Sequence, residues 1–195
     1  MTALIILAAG ASTRLGQPKQ NLRFQNKTLL QNAIETGLAS GCRPLIVVLG
    51  ANADQIHLPA KHEDVEIIVN SQWPEGMASS IRVAINAIQK DSSVKAVIIM
   101  LCDQPYVNVE LLERLQKKQF ETSKPIIACA YNNSVGVPAL FSRSIFNDLL
   151  LLAGNEGAKK IIKNHPDNVA TILFEKGGID IDTMDDYERL IKGFS

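Results

Sequence analysis

The chain has 195 residues, of which 46% are hydrophobic, and its 20 basic residues balance 20 acidic residues, so its formal net charge is zero. This length predicts a single domain over residues 1–195, with enough chain to build a three-layer core. The neutral balance argues against a general polyanion-binding surface. Nucleic acid is therefore not an expected partner, and any affinity for phosphate must be local.

The composition also bears on the compartment in which the protein works. The N-terminus lacks the charged region and cleavage site of a secretion signal, and no apolar run approaches the ~20 residues of a membrane span. The three cysteines, Cys42, Cys102 and Cys129, are widely separated, and each lies in or beside an apolar segment. We therefore expect reduced, buried thiols, a cytoplasmic protein and no membrane partner.

Short β-branched runs alternate along the chain with segments of helical period, which predicts an α/β fold with helices covering a parallel sheet. Strands are predicted at residues 4–7, 45–49, 65–69, 97–101, 126–130 and 169–173. Helices are predicted at residues 29–38, 77–88, 109–115 and 145–150, around 161–162, and after an acidic capping box at 183–186. The run at 97–101 is wholly apolar, as is typical of a central strand.

The first predicted strand leads into a glycine-containing loop with two cationic residues. Gly10 and Gly16 allow the backbone to approach a phosphate chain, and Arg14 and Lys19 supply the positive charge that a triphosphate needs. The spacing fits neither the Walker pattern nor the dinucleotide fingerprint. The structural alternative is an ordinary turn between a strand and a helix.

Residues 7–19 read Leu-Ala-Ala-Gly-x-Ser-x-Arg-x-Gly-x-x-Lys. This pattern resembles the signature of the nucleotidyltransferases that build nucleotide-sugars and cofactor dinucleotides, and most closely that of the molybdenum cofactor cytidylyltransferases. Five ordered motifs extend the resemblance from residue 4 to about residue 187. It implies a three-layer Rossmann-like nucleotidyltransferase fold with a mostly parallel central sheet. It assigns the following loop residues to the nucleotide: Leu7, Ala8, Ala9, Gly10, Ser12, Arg14 and Lys19.

The second motif, residues 101–105, places Asp103 just past the central strand, where open α/β sheets bind ligands. Nucleotidyl transfer needs charge neutralisation on phosphate, and Mg²⁺ held by one or two carboxylates commonly supplies it. Asp103 is thus the predicted metal ligand and, with Arg14 and Lys19, a predicted catalytic residue. The alternative is that Asp103 only satisfies backbone donors in a turn before Asn108, which is placed to cap the next helix.

Two further matches concern the nucleotide and the acceptor. The resemblance assigns Gly76, Ser79 and Ser80 to the nucleotide, where a helix N-terminus attracts anions. The alternative is that they are only turn and first-turn residues. The segment 136–141 matches a stretch that borders the acceptor pocket in the family. The acceptor residues implied by the resemblance are Gln104, Pro105, Gly136 and Pro138.

The remaining two motifs depart from the family pattern. Asn155 stands where the family usually has Asp, and it is predicted to cap the helix that contains Ile161 and Ile162. Near the C-terminus, Asp180 and Asp182 resemble the family's second metal carboxylate, although Met184 replaces a common proline. Alternation along a short strand would put Asp180 and Asp182 on one face, and Asp182 is the first choice of the two.

The resemblance implies transfer of CMP from CTP to the terminal phosphate of molybdopterin cofactor, with Mg²⁺ as cofactor and a molybdoenzyme as a possible transient acceptor of the product. The segment Ala8-Ala9-Gly10 favours cytidine, but guanylyl transfer and transfer to a sugar or polyol phosphate stay open. Two other classes also stay open. They are a non-catalytic cofactor chaperone, suggested by Asn155, and a nucleotide-dependent oxidoreductase.

Overall fold

The computed structural model describes residues 1–58 and 62–193. The strands in this part of the chain are β1 (Thr2–Ala8), β2 (Arg23–Phe24), β3 (Lys27–Thr28), β4 (Leu45–Leu49), β5 (Val65–Val69), β6 (Ala96–Leu101), β7 (Ile126–Tyr131), β8 (Ser134–Ser142) and β9 (Val169–Leu173). The α-helices are α1 (Leu29–Ala39), α2 (Met77–Ile88), α3 (Val109–Thr122), α4 (Phe146–Leu150), α5 (Ala158–Asn164) and α6 (Met184–Lys192). None of these helices is both long and apolar enough to cross a membrane.

Seven of the strands form one sheet in the order β5-β4-β1-β6-β8-β7-β9. Neighbouring strands from β5 to β6 run parallel, and so do β7 and β9. Only β8 is antiparallel to its neighbours in this sheet of described strands. The predicted α/β fold with a mostly parallel central sheet is therefore confirmed, and β6 lies at its centre as its apolar sequence indicated.

The central strands β1, β4 and β6 are buried on both faces, which explains why they are continuous apolar runs rather than alternating ones. Along β1, Ile5 faces the cluster that contains Ile81 and Ile85 of α2. The adjacent Leu4 faces the opposite cluster, which contains Leu30 of α1. Because successive side chains of a strand point to opposite faces, one short strand joins three layers.

Strand β8 was not predicted, although its residues were noted as an acceptor motif. A proline inside an apolar run argues against a strand because it cannot donate to the ladder. Here the pairing of β7 with β8 shifts register between Ala128 and Cys129, so Val137 and Pro138 lie in a bulge outside the ladder. Asn132 and Asn133 both have positive φ, which suits the tight two-residue turn joining β7 to β8.

Three helix starts were predicted from capping residues, and two are confirmed. The side chain of Asn108 accepts a hydrogen bond from the N–H of Leu111, and α3 continues to Thr122, beyond the predicted end. Thr183 and Asp186 form the predicted reciprocal capping box of α6. The prediction that Asn155 caps α5 is wrong, because the helix begins after Gly157 and no side chain caps it.

Candidate active site

A cavity of about 480 Å³ opens at the carboxyl ends of β1 and β6. Five segments supply its wall: the end of β1 with the loop after it, the start of α2, the end of β6 with the residues after it, the loop before α5 and the segment before α6. Its lining residues are Leu7, Ala8, Ala9, Gly10, Arg14, Lys19, Gln20, Trp73, Gly76, Met77, Ser80, Leu101, Cys102, Asp103, Asn155, Asp180 and Asp182. This is the sheet edge at which open α/β folds bind ligands.

A cation between two carboxylates lies in this cavity. The Nζ of Lys19 donates to Oδ2 of Asp103 at 2.6 Å and to Oδ1 of Asp182 at 2.9 Å. The side chains of Lys19 and Asp103 are only 12% and 13% exposed. Arg14, whose side chain is 66% exposed, donates to the other oxygen of Asp182 at 2.7 Å. The cluster thus contains a buried cation, Lys19, and an exposed cation, Arg14, at the rim of the cavity.

The protonation states follow from these contacts. Burial lowers the pKa of Lys19, but the nearby charges of Asp103 and Asp182 outweigh burial and raise its pKa above the usual range. The hydrogen bond from Lys19 holds the pKa of Asp182 below its usual value, with help from Arg14. Burial and the neighbouring charge of Asp103 raise the pKa of Asp180. The cavity therefore contains one firmly charged ammonium and at least one firmly charged carboxylate at neutral pH.

The loop after β1 is folded so that Lys19 returns to the end of the strand. Ser12 has a φ of 54° and Gly16 a φ of 69°, so the chain reverses direction at two left-handed positions. The N–H of Lys19 then donates to Oγ of Ser12 at 3.1 Å. A short 3-10 turn, Lys19–Asn21, follows and packs Gln20 beneath the loop. Ser12 shapes the loop but does not line the cavity.

The carboxylates come from two distant segments that are linked through the backbone. The N–H of Ile181 donates to the carbonyl of Asp103 at 3.2 Å, and Ile181 is fully buried. Asp180 and Asp182 flank Ile181 and both reach the cavity. They share a side as predicted, but the predicted strand is wrong, because residues 179–183 belong to no strand of the sheet. The hydrogen bond to Asp103 and those from the N–H groups of Asp182 and Thr183 to Asp186 hold this segment in place of a ladder.

The start of α2 is organised around a buried amide. The Nδ2 of Asn70 donates to Oγ of Ser79 at 2.8 Å and to Oγ of Ser80 at 3.0 Å. Ser80 lines the cavity, whereas Ser79 turns to the carbonyl of Gly76 at 2.8 Å and lies behind the wall. The N–H of Ala78 donates to the carbonyl of Gly154, which brings Asn155 onto the cavity.

The residues predicted for the acceptor do not line this cavity. Gln104 is buried, and its Nε2 donates to the carbonyls of Val137 at 3.1 Å and Gly177 at 3.2 Å. Gly136, in β8, lies against the hydroxyl of Tyr131 at the end of β7. Gln104 therefore ties the residues after β6 to β8 and to the segment that leads to Asp180. Pro105, Gly136 and Pro138 lie outside the lining set.

Sequence reasoning did not predict six lining residues. They are Gln20, Trp73, Met77, Leu101, Cys102 and Asn155. Trp73 and Met77 lie in or beside a recognised motif, and they are 36% and 42% exposed, which is high for apolar side chains. This exposure would indicate a binding surface, but it cannot be read from the sequence. Leu101 and Cys102 directly precede Asp103 in its motif, and Gln20 directly follows Lys19, whereas Asn155 reaches the cavity only through the tertiary fold.

The sequence of this chain matches a known protein family. The family model described as the MobA-like NTP transferase domain matches residues 4–169. The chain belongs to this family. The matched range contains the loop after β1, the start of α2 and Asp103, but it ends before Asp180 and Asp182.

Two relatives of this MobA-like domain match nearly its whole length. The nicotine blue oxidoreductase of Paenarthrobacter nicotinovorans is 32% identical, over 96% of this chain and 95% of the relative. The molybdenum cofactor cytidylyltransferase of Escherichia coli strain K12 is 26% identical, over 94% of this chain and 92% of the relative. The chain therefore has relatives named for two different activities.

Solved structures match this MobA-like domain equally well. The crystal structure of Rv0371c from Mycobacterium tuberculosis H37Rv has a TM-score of 0.82 and 31% identity, and the match covers 98% of both chains. A crystal structure of Rv0371c in complex with manganese has a TM-score of 0.79 and 29% identity, with the same coverage. A relative of this fold thus binds a divalent cation.

Proposed function

We propose that this domain transfers CMP from CTP to the terminal phosphate of molybdopterin cofactor, which yields the cytosine dinucleotide cofactor and pyrophosphate. The observation that carries the proposal is the placement of Lys19 between Asp103 and Asp182, beside a glycine-containing loop at the carboxyl edge of the sheet. The relative named molybdenum cofactor cytidylyltransferase supports the choice of substrate.

In this proposal CTP lies over the loop after β1. Arg14 and Lys19 bind its phosphates, because they are the cationic residues of the described cavity wall. The exposed side chain of Arg14 can change its conformation when a ligand binds. Leu7, Ala8, Ala9 and Gly10 provide the adjoining wall. Ser12 supports the loop through its bond with the N–H of Lys19. Gly76 and Ser80 form the opposite wall, and Ser79 holds Gly76 in place through its hydrogen bond to the Gly76 carbonyl.

A divalent cation fits the residues present. Oδ1 of Asp103 is buried and has no hydrogen-bond partner among the described residues, as expected for an oxygen reserved for a cation. Asp182, and then Asp180, would supply the second carboxylate. No three His, Cys, Asp or Glu side chains in residues 1–58 and 62–193 form a metal site by themselves. Mg²⁺ commonly takes one or two carboxylates and completes its shell with water and substrate phosphate.

When bound, Mg²⁺ supplies positive charge near the α-phosphate and the departing pyrophosphate. The chain's own part is positioning and charge stabilisation, as in other phosphoryl transfers. Lys19 stays protonated because Asp103 and Asp182 raise its pKa, so it carries charge for the phosphates at any physiological pH. The attacking phosphate of the acceptor is already ionised, and no side chain has to act as general base.

The acceptor would approach from the side of Gln104, Pro105, Gly136 and Pro138. These residues lie beyond the cavity wall, so their proposed part is to shape the approach. Gln104 joins that region to the segment of Asp180 through Gly177. A molybdoenzyme that receives the product transiently is the proposed protein partner.

A thermal-shift panel tests the proposal, since a ligand that binds the folded state raises its melting temperature by mass action. The panel contains CTP, GTP, ATP, UTP, NADH and FAD, each with and without Mg²⁺. We expect the largest shift with CTP and Mg²⁺. A separate assay should then detect pyrophosphate release when molybdopterin cofactor is added. A shift with GTP alone would move the activity to guanylyl transfer, and pyrophosphate release with a sugar or polyol phosphate would change the acceptor.

A nucleotide-dependent oxidoreductase is the second candidate, because the relative named nicotine blue oxidoreductase is 32% identical over most of both chains. The cation and carboxylate cluster favours phosphate chemistry, since hydride transfer needs no such cluster. A thermal shift with NADH or FAD alone, without one for any triphosphate, would favour the oxidoreductase. Binding of CTP without release of its pyrophosphate in the presence of any acceptor would favour a cofactor chaperone.

A further inference from the structure

The side chain of Gln20 connects the turn after Lys19 to the loop after β1. It is only 1% exposed, yet it reaches the cavity wall. Its Nε2 donates to the carbonyl of Ala8 at 2.6 Å and, more weakly, to the carbonyl of Gly10 at 3.4 Å. With the bond from the N–H of Lys19 to Ser12, the turn holds the loop at three points.

These bonds fix the orientation of two peptide groups. The cis peptide bonds of the described residues are Arg43–Pro44 and Val137–Pro138, so the peptides that follow Ala8 and Gly10 are trans. In a trans peptide the carbonyl and the next N–H point in opposite directions. By binding the two carbonyls, Gln20 turns the N–H groups of Ala9 and Ala11 away from itself. Neither N–H donates to an acceptor in the described part of the chain.

The other end of the same amide adds nothing to the stability of the fold. Oε1 of Gln20 is buried and has no partner among the described residues. A buried acceptor without a partner destabilises the folded state. An apolar side chain of similar length would fill the space without that cost. The group that distinguishes Gln20 from such a side chain is its Nε2, and Nε2 acts on the loop.

We propose that Gln20 is a positioning residue that presets the N–H groups of Ala9 and Ala11 to bind the phosphate chain of the nucleotide. Backbone donors that are already oriented bind phosphate strongly because no reorganisation is needed when the ligand arrives. The inference rests on the proposed nucleotidyl transfer, and it adds to Arg14 and Lys19 a neutral component of the phosphate site. Gln20 itself makes no contact with the phosphates in this arrangement.

The test compares two adjacent amides of one turn. Gln20→Met removes the donor to the loop at nearly constant volume. Asn21→Leu removes an amide that binds the carbonyl of Gln55 and the N–H of His57 instead. Calorimetry measures the Kd of each protein for CTP and for CMP with Mg²⁺, and thermal unfolding without ligand measures stability. For Gln20→Met we expect the Kd for CTP to rise about tenfold, with a smaller rise for CMP, and a lower melting temperature because the buried carbonyl of Ala8 loses its donor. Asn21→Leu should bind both nucleotides as the wild type does.

A second variant adds a reading that a purely structural role would not give. Gln20→Glu places a carboxylate against the carbonyls of Ala8 and Gly10, so it should weaken CTP binding more than Gln20→Met near neutral pH. A protonated carboxyl donates one hydrogen bond and can replace the bond to Ala8. The CTP affinity of Gln20→Glu, relative to wild type at each pH, should therefore recover as the pH falls.

The outcomes separate this inference from the proposed function. If the wild type binds CTP and Gln20→Met binds it equally well, the inference is wrong and the proposed function stands. Equal losses for CTP and CMP, or no pH-dependent recovery in Gln20→Glu, would also overturn it. If the wild type binds no nucleoside triphosphate, both proposals fail. Should Gln20→Met not fold, the pH series on Gln20→Glu decides the question.

Discussion

The Nζ of Lys19 lies 2.6 Å from Oδ2 of Asp103, although 84 residues separate them in the chain. Each side chain is mostly buried, and a second carboxylate, Asp182, completes the contact on the other side of the ammonium. The protein thus places its own cation between the two carboxylates proposed to hold a divalent cation. Lys19 and that cation are expected to compete for the same negative charge.

Replacing Lys19 should therefore strengthen cation binding in the absence of nucleotide. In Lys19→Met, Asp103 and Asp182 lose their shared counterion, and two neighbouring carboxylates favour a divalent cation. We expect the affinity for Mn²⁺ without nucleotide, measured by electron paramagnetic resonance, to rise about tenfold. The affinity for CTP should fall. Lys27→Met, which removes an exposed ion pair with Glu35, is the control. Unchanged or weaker Mn²⁺ binding in Lys19→Met would refute the competition.

Asp103→Asn should abolish metal-dependent pyrophosphate release while the protein remains folded. The amide keeps the shape of the side chain but removes the charge that a cation needs. Circular dichroism checks the fold, and pyrophosphate release is measured against Mg²⁺ concentration. Asp64→Asn, at a surface ion pair with Arg43, should retain wild-type turnover. Substantial activity in Asp103→Asn would remove this residue from the metal site.

Asp182 should contribute to stability above acidic pH and lose that contribution in acid. The hydrogen bond from Lys19 lowers the pKa of Asp182 below its ordinary 3.8, so the folded state holds this carboxylate charged more strongly than the unfolded state does. Its contribution is therefore full above the ordinary pKa and disappears as the pH falls through the lowered one. Chemical denaturation of wild type and Asp182→Asn from about pH 6 to about pH 2 should show a stability difference that shrinks in acid. A constant difference would contradict this.

Two glycines of the cavity should respond differently to alanine. Gly76 has a φ of 107°, and a Cβ there would lie 2.6 Å from Oδ1 of Asn155 and even closer to the carbonyl of Gly154. Gly76→Ala should lower the free energy of unfolding by about 1–3 kcal/mol. Around Gly10, a Cβ would meet no described atom within 4 Å. Gly10→Ala should keep its stability yet bind CTP more weakly, because the methyl group would lie on the cavity wall. Equal melting temperatures for the two variants would contradict this contrast.

Two helix caps offer a matched comparison. Thr183 caps α6 next to Asp182, and Thr28 caps α1 away from the cavity lining. Either change to alanine should cost about 1 kcal/mol of stability. Only Thr183→Ala should also weaken CTP and Mn²⁺ binding. Thr183 and Asp186 form one capping box, and Asp186 holds the backbone of residues 182–183, so loss of the Thr183 side chain should loosen Asp182. Equal ligand affinities in the two variants would show that the cap does not restrain Asp182.

The strands of the seven-stranded sheet and the helices that cover it follow from local sequence patterns, with the exception of β8. Apolar runs such as Leu45–Leu49 need no partner to be recognised, and the caps at Asn108 and Thr183 are local hydrogen bonds within one turn. Strand β8 escaped recognition because Gly136 and Pro138 argue against a strand. Pro138 is accommodated where the ladder with β7 shifts register, and Gly136 pairs with Cys129 beside that shift. This register is a property of two strands together.

The site divides along the same line. The sequence by itself determined the chemical groups, namely a glycine-containing loop with Arg14 and Lys19 and an aspartate that follows an apolar strand. The tertiary structure alone decided that Lys19 lies between Asp103 and Asp182, and that Asn155 reaches the cavity instead of capping a helix. It also decided that Gln20 is buried beneath the loop. The physical reason is range: propensity, periodicity and capping act within a few residues, whereas these contacts form only after the packed sheet brings distant segments to one edge.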